Sequence, residues 1–189
     1  MNQKSRAECD RWPTAVADRV VAWTGGHRPS AGGRRVLAVE GRSGSGKSSL
    51  AGAVADRLGA PLIRMDDLYA GWDGLSQGVV ALRDWVLRPL AEGRPAIWRR
   101  WDWAAGEYAE EHPVPDADWL VVEGVGAGAH RAYLSGVVWL NSPAAVRKRR
   151  ALDRDGETYE PHWDRWARQE DAFYAAEPVR ERAGLVIDN

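Results

Sequence analysis

The chain has 189 residues, 44% of them hydrophobic, and its 26 Lys and Arg offset 27 Asp and Glu to a formal net charge of −1. That length and apolar content suit one soluble domain around one sizeable core, and leave little room for a second. The charge balance excludes a global basic field for nucleic acid and an acidic disordered arm, so electrostatic specificity must be local.

The opening stretch "MNQKSRAECDRW" lacks the apolar core of a signal peptide, and no apolar run anywhere is long enough to cross a bilayer. The expectation is a cytoplasmic protein without a membrane partner. Cys9 is the one cysteine, which excludes an intrachain disulfide and a Cys-based zinc site. Val16, Val20 and Trp23 fall at helical spacing, and "TGGHRPSAGGRR" after them has the composition of a linker, so residues 1–34 read as an N-terminal helix and linker packed on a domain at 35–189.

"RVLAVE" (35–40) predicts a short buried strand that runs into a glycine-rich loop, and Leu50, Val54 and Leu58 mark the helix after it. "APLIRM" (60–65) predicts a second strand ending at Asp66 and Asp67. Val79, Leu82, Val86 and Leu90 then predict a helix closed by "EGRP". "AIWRRWDW" (96–103) is read as extended and the proline-punctuated "EYAEEHPVPDAD" as a surface excursion. "WLVVEGVGAG" (119–128) and "GVVWLNSP" (136–143) predict two more buried strands, "AAVRKRRALDRDG" a helix broken at Gly156, Trp163 to Tyr174 a further helix, and "AGLVID" a last strand. Five apolar strands alternating with helices predict an α/β fold: a parallel sheet with helices on both faces, in three layers.

Gly41, four residues, then Gly46-Lys47-Ser48 is a complete phosphate-loop pattern in the strand–loop–helix context it requires. Backbone N–H groups must close around phosphate oxygens, hence the glycines, and Ser43, Gly44, Ser45 and Ser49 complete the candidate nucleotide-binding set. Lys47, one of only three lysines, neutralises the outer phosphates; Ser48 opens the helix and is the expected magnesium ligand. Glu123, at the end of "LVVE", stands where parallel sheets gather ligands and is the second candidate for the metal. A kinase acting on a hydroxyl needs a carboxylate to accept its proton, and Asp66 and Asp67 are the candidates; alternation along a strand would point them apart. Arg147, Arg150 and Arg154 share a helical face before Gly156, as in a mobile lid that clamps phosphates, with Arg149 turned away. Of the eleven tryptophans, Trp101 beside Asp102 is placed best to stack a planar substrate and bond its edge. The scattered His27, His112, His130 and His162 lack the spacing of a helical metal motif.

These residues resemble the uridine kinase-like branch of the phosphate-loop nucleoside and nucleoside-monophosphate kinases, in its short actinobacterial-type form. The likeness rests on "GRSGSGKSS", "MDDLYAGWDG", "WDW", "VVEGVGA" and "RRALDRDG", and runs from about Arg35 to the C-terminus. It implies ATP and Mg2+, a five-stranded parallel sheet with a short Arg-rich lid, and phosphoryl transfer to a hydroxyl of a nucleoside-like small molecule. It also implies Asp66 as the catalytic aspartate, Tyr69 as its neighbouring tyrosine, Trp101 and Asp102 at the nucleoside, Glu123 near the metal, and Arg150 and Arg154 in the lid. Asp67 and Leu68 depart from the usual Ser and Phe, and Trp101 from a Tyr. Two alternatives stay open: a kinase for a non-nucleoside alcohol, and a non-catalytic nucleotide-binding regulatory module. A GTPase switch is disfavoured because Asn occurs only at positions 2, 141 and 189, leaving no base-reading Asn-Lys-x-Asp motif.

Overall fold

A computed structural model describes residues 3–189, with side chains from Trp12 onward, so the Cys9 side chain lies outside the described residues. Strand β1 (Arg35–Glu40) lies at the centre of a five-stranded parallel sheet. It pairs with β5 (Trp119–Glu123) on one side and β6 (Gly136–Asn141) on the other; β2 (Leu62–Arg64) and β7 (Leu185–Asp188) flank them in the order β2-β5-β1-β6-β7. Val36 to Val39 are fully buried, as a strand covered on both faces must be.

One face of the sheet packs Leu37, Val39, Val121 and Val138 against α1 (Gln3–Thr24), through Ala17 and Val20, and against α2 (Lys47–Leu58), through Leu50 and Val54. The other packs Val36, Ala38, Leu120, Val122 and Trp139 against α3 (Leu75–Ala81) with its continuation and α6 (Trp163–Ala176). Together these form three α/β/α layers. Helix α3 runs on through a π-helical stretch, Leu82–Leu87, into α4 (Arg88–Ala91). Pro89 has no N–H to return to the preceding turn, and Arg88 donates instead to the Arg83 carbonyl five residues back. The predicted apolar face survives the wider turn, with Val79, Leu82, Val86 and Leu90 all buried. Among the described residues no helix is long and apolar enough to cross a membrane.

Two segments differ from the sequence reading. Residues 107–113 of the surface excursion form a strand that the sequence did not signal, β4 (Glu107–Pro113), antiparallel to β3 (Ile97–Asp102) in a separate two-stranded sheet. Cross-strand pairs hold it: Trp98 stacks on His112 at 4.6 Å, Trp101 meets Tyr108 edge-on at 5.0 Å, and Arg100 bonds Glu110 at 2.5 Å. Asp66 and Asp67 are not strand-terminal either. Strand β2 ends at Arg64, opposite Glu123, and Met65–Asp67 form a 3-10 turn whose Met65 carbonyl accepts N–H bonds from Leu68 and Tyr69. The last lid-side helix, α5 (Ala144–Asp155), ends at Gly156 and is followed by two 3-10 turns leading to α6.

Candidate active site

The loop between β1 and α2 is shaped by backbone contact. Gly44 has φ +77°, and a Cβ there would stand 2.2 Å from the Arg147 carbonyl oxygen; at Gly41, φ +143°, it would stand 2.4 Å from the Leu140 carbonyl oxygen. Only glycine fits such left-handed, crowded positions. The loop therefore folds as a concave nest at the N-terminus of α2, the geometry that receives phosphate oxygens.

In front of the loop opens a cleft of about 690 Å³ at the C-terminal edge of the sheet. Its walls include the predicted loop residues Ser43, Gly44, Gly46, Lys47, Ser48 and Ser49, and also Asp66, Tyr69, Glu123, Arg150 and Arg154. Gly41 and Ser45 belong to the loop but stand behind that lining; Ser45 is fully buried and its Oγ has no hydrogen-bond partner among the described residues. Lys47 is nearly buried, and its Nζ donates to the Arg42 carbonyl at 3.1 Å, with no carboxylate paired to it among the described residues. A buried ammonium with no carboxylate paired to it among the described residues, beside a nest of N–H groups, suits a polyphosphate.

Glu123 is 2% exposed at the end of β5. Burial pushes its carboxyl up, the Lys47 ammonium pulls it back, Asp66 raises it further, and the Ser48 hydroxyl and Arg64 lower it. A buried carboxylate beside the hydroxyl that opens α2 is a fitting donor pair for a hard divalent cation. Asp66 is exposed to the cleft. Asp67 is outside the lining; burial and the Asp66 charge raise its carboxyl, with Arg64, Arg100 and His112 opposing. The 3-10 turn separates the two aspartates as a strand would have. Tyr69 is buried and donates to the Val125 carbonyl at 2.7 Å, tying the turn after Asp66 to the turn after Glu123.

The arginines divide. Arg150 and Arg154 line the cleft, Arg154 paired with Asp155, while Arg149 is exposed. Arg147 braces the loop instead, donating to the carbonyls of Ser43 at 3.1 Å and Ser142 at 3.2 Å. Trp101 and Asp102 lie outside the cleft lining. Trp101 packs on Tyr108, and Asp102 accepts the N–H groups of Ala104 and Ala105, which with Arg100 hold its carboxyl below the usual range. In their place the hairpin tip presents Trp103, whose Nε1 donates to the Asp66 carbonyl at 3.1 Å. Trp72, Tyr159 and Trp166 complete an aromatic wall that sequence spacing did not single out.

Two further carboxylates went unrecognised in the sequence. Glu170 on α6 is 1% exposed and accepts the Ser43 N–H at 2.8 Å and the Trp166 indole N–H at 3.1 Å, with Arg42 at 3.5 Å. Glu40, fully buried, accepts the N–H groups of Gly41, Gly126 and Gly128 and the Tyr174 hydroxyl. Only the position of Glu40 at the end of an otherwise apolar strand could have flagged it. Burial pushes its carboxyl from 4.5 up to about 7 against those four donors. A carboxyl that binds its proton more tightly when folded stabilises the fold at low pH and loses that contribution as pH climbs from about 4.5 to about 7. Relative to Glu40→Gln, which does not titrate, the wild type should therefore gain about 2 kcal/mol of unfolding free energy between pH 7.5 and 5.5, from the linkage relation at about 1.4 kcal/mol per pKa unit. Urea denaturation of both proteins measures it; a pH-independent difference contradicts the assignment.

No family model matches the chain. Its structure resembles one described as a possible uridine kinase from Bacillus stearothermophilus, with a TM-score of 0.68 at 20% identity over 91% of this chain and 97% of the other. It also resembles a candidate fructose transport system kinase from a Silicibacter species, with a TM-score of 0.54 at 22% identity over 92% and 95%. In sequence it is 32% identical over 126 residues to the cytidylate kinase of Pyrobaculum arsenaticum, an alignment spanning 66% of this chain and 63% of that protein. The chain has the phosphate-loop NTPase fold, a five-stranded parallel sheet flanked by helices. Its likeness is to uridine kinase and related phosphate-loop kinases.

Proposed function

We propose that the chain transfers the terminal phosphate of ATP, with magnesium, to a hydroxyl of a small molecule, a nucleoside being the favoured acceptor. One observation carries the reading: the phosphate loop with Lys47 and Ser48, the buried Glu123, and Asp66 all border a single cleft. The likenesses to a possible uridine kinase and to a cytidylate kinase support it. In this reading residues 35–189 form the kinase domain, with residues 1–34 as a helix and linker packed on it.

The loop N–H groups and Lys47 bind the phosphates, and Arg150 and Arg154 offset charge that develops on the transferred group. Ser48 and Glu123 would hold the magnesium ion, which supplies further neutralisation of that charge. Asp66 accepts the proton of the acceptor hydroxyl as its oxygen bonds the terminal phosphorus and the bond to the leaving diphosphate breaks. Incubation with ATP, magnesium and a panel of nucleosides and other small alcohols should yield a phosphorylated product. ATP binding without product across a broad panel would instead identify a non-catalytic nucleotide-binding module.

A further inference from the structure

The acceptor side of the cleft has an unusual surface. Trp103, at the tip of the β3–β4 hairpin, is 41% exposed, and its indole N–H is already spent on the Asp66 carbonyl. Trp72 lies 4.9 Å from it and is stacked on its other contacts, Tyr159 at 5.3 Å and His162 at 4.3 Å, so the lid-side segment clamps that ring in place. The Trp166 indole bonds Glu170 and the Tyr69 hydroxyl bonds the Val125 carbonyl. Three of the rings that line the cleft thus have their polar atoms occupied and can present only faces and edges.

The polar groups are equally informative. Among the described residues, no Asn, Gln or His side chain lines the cleft. Away from the phosphate loop, Glu123 and the aromatic rings, the polar lining is Asp66, Arg150, Arg154, Asp155 and Thr158, with Arg154 and Asp155 paired to one another and the Tyr159 hydroxyl bonded to Ser43. Asp102, the one group that sequence suggested for reading a base edge, is committed to backbone N–H groups and Arg100.

A site that hydrogen-bonds a substrate edge rejects the wrong edge by about 10⁴-fold or more, whereas a pocket that offers apolar surface separates similar shapes only about 10- to 200-fold. Stacking on aromatic rings is available to any base, since every base has a π-face. Resting on the kinase reading above, we propose that Trp103, braced by the clamped Trp72, determines acceptor specificity by gripping the flat face of an aromatic acceptor, without reading the hydrogen-bonding edge of its ring. The protein is then a kinase of broad base tolerance whose acceptor must carry a planar ring.

Calorimetric titration of the full chain, loaded with magnesium and a non-hydrolysable ATP analogue, tests this with adenosine, guanosine, cytidine, uridine and free ribose. The four nucleosides should bind within about tenfold of one another, and ribose about a hundredfold more weakly. Trp103→Ala should weaken nucleoside binding roughly 10- to 100-fold, and Trp103→Phe should retain most of it, with the affinity for the ATP analogue unchanged in both. One base preferred by more than about a hundredfold, ribose bound as tightly as the nucleosides, or a Trp103→Ala protein with normal nucleoside affinity would each overturn the proposal. ATP-analogue binding with no nucleoside bound overturns it too and leaves the donor site standing; failure to bind the analogue strikes the kinase reading itself.

Discussion

Asp66→Asn is expected to lower turnover by roughly 10²- to 10⁴-fold, the usual contribution of a positioned general base, while ATP affinity stays at its wild-type value. The carboxylate borders the cleft from a 3-10 turn that shares no backbone hydrogen bond with the phosphate loop, so its amide replacement removes a proton acceptor and leaves the loop's hydrogen bonds in place. Asparagine matches the size of aspartate and leaves the Trp103 bond intact, because that bond goes to the Asp66 backbone carbonyl. Single-turnover rates and nucleotide titrations on the same preparation separate the two effects. Asp67→Asn is the control: its carboxyl stands off the cleft lining among Arg64, Arg100 and His112, and its loss should leave turnover near normal. The reverse pattern, with Asp67→Asn inactive and Asp66→Asn active, would exchange their roles.

Gly44→Ala should abolish measurable ATP binding and cost roughly 2–5 kcal/mol of stability. The added Cβ would lie 2.2 Å from the Arg147 carbonyl oxygen and within 2.9 Å of two more Arg147 backbone atoms, none of which can swing aside as a side chain can. The left-handed backbone at φ +77° adds strain of its own. Either the loop or the first turns of α5 must shift, and both border the phosphate site. Thermal denaturation gives the loss of stability and calorimetry the loss of binding. Gly52→Ala, on an open part of α2 where a Cβ meets nothing within 4 Å, should do neither, and a Gly44→Ala protein that binds ATP normally would refute the packing argument.

Much of the proposed donor half was legible in the sequence because it is local. The loop, its lysine and the following helix are contiguous, and the strand before them is a plain apolar run. Glu123 was readable for a related reason, since an acid that ends a buried strand has few places to go. The acceptor half is assembled from distant pieces and was less legible. Trp101 and Trp103 lie two residues apart, but β3 ends at Asp102: Trp101 stays paired with Tyr108 inside the hairpin, and Trp103 stands in the turn that faces the cleft. No spacing rule reveals where such a strand ends. Residues 107–113 give no strand signal because their charged and proline residues mask the alternation. Glu40 and Glu170 were missed because the demand they meet, unsatisfied backbone N–H groups of a distant loop, becomes visible only once the loop is folded.

The hairpin has one more implication. It forms its own two-stranded sheet and docks through Trp98 on the core, Tyr108 against Trp85, and the bonds from Tyr108 to the Leu68 carbonyl and from Trp103 to the Asp66 carbonyl. The central sheet and phosphate loop draw none of their strand pairing from it. On the proposed reading such an element is a cassette: lengthening, shortening or exchanging its tip is expected to retarget the acceptor and to leave the phosphate loop as it is. Residues 65–69 have no such freedom, because the Tyr69 brace to Val125 sets the spacing between the two acidic corners, and a one-residue deletion there would put them out of step. Diversification across proteins of this build is accordingly expected to concentrate between Ile97 and Pro113.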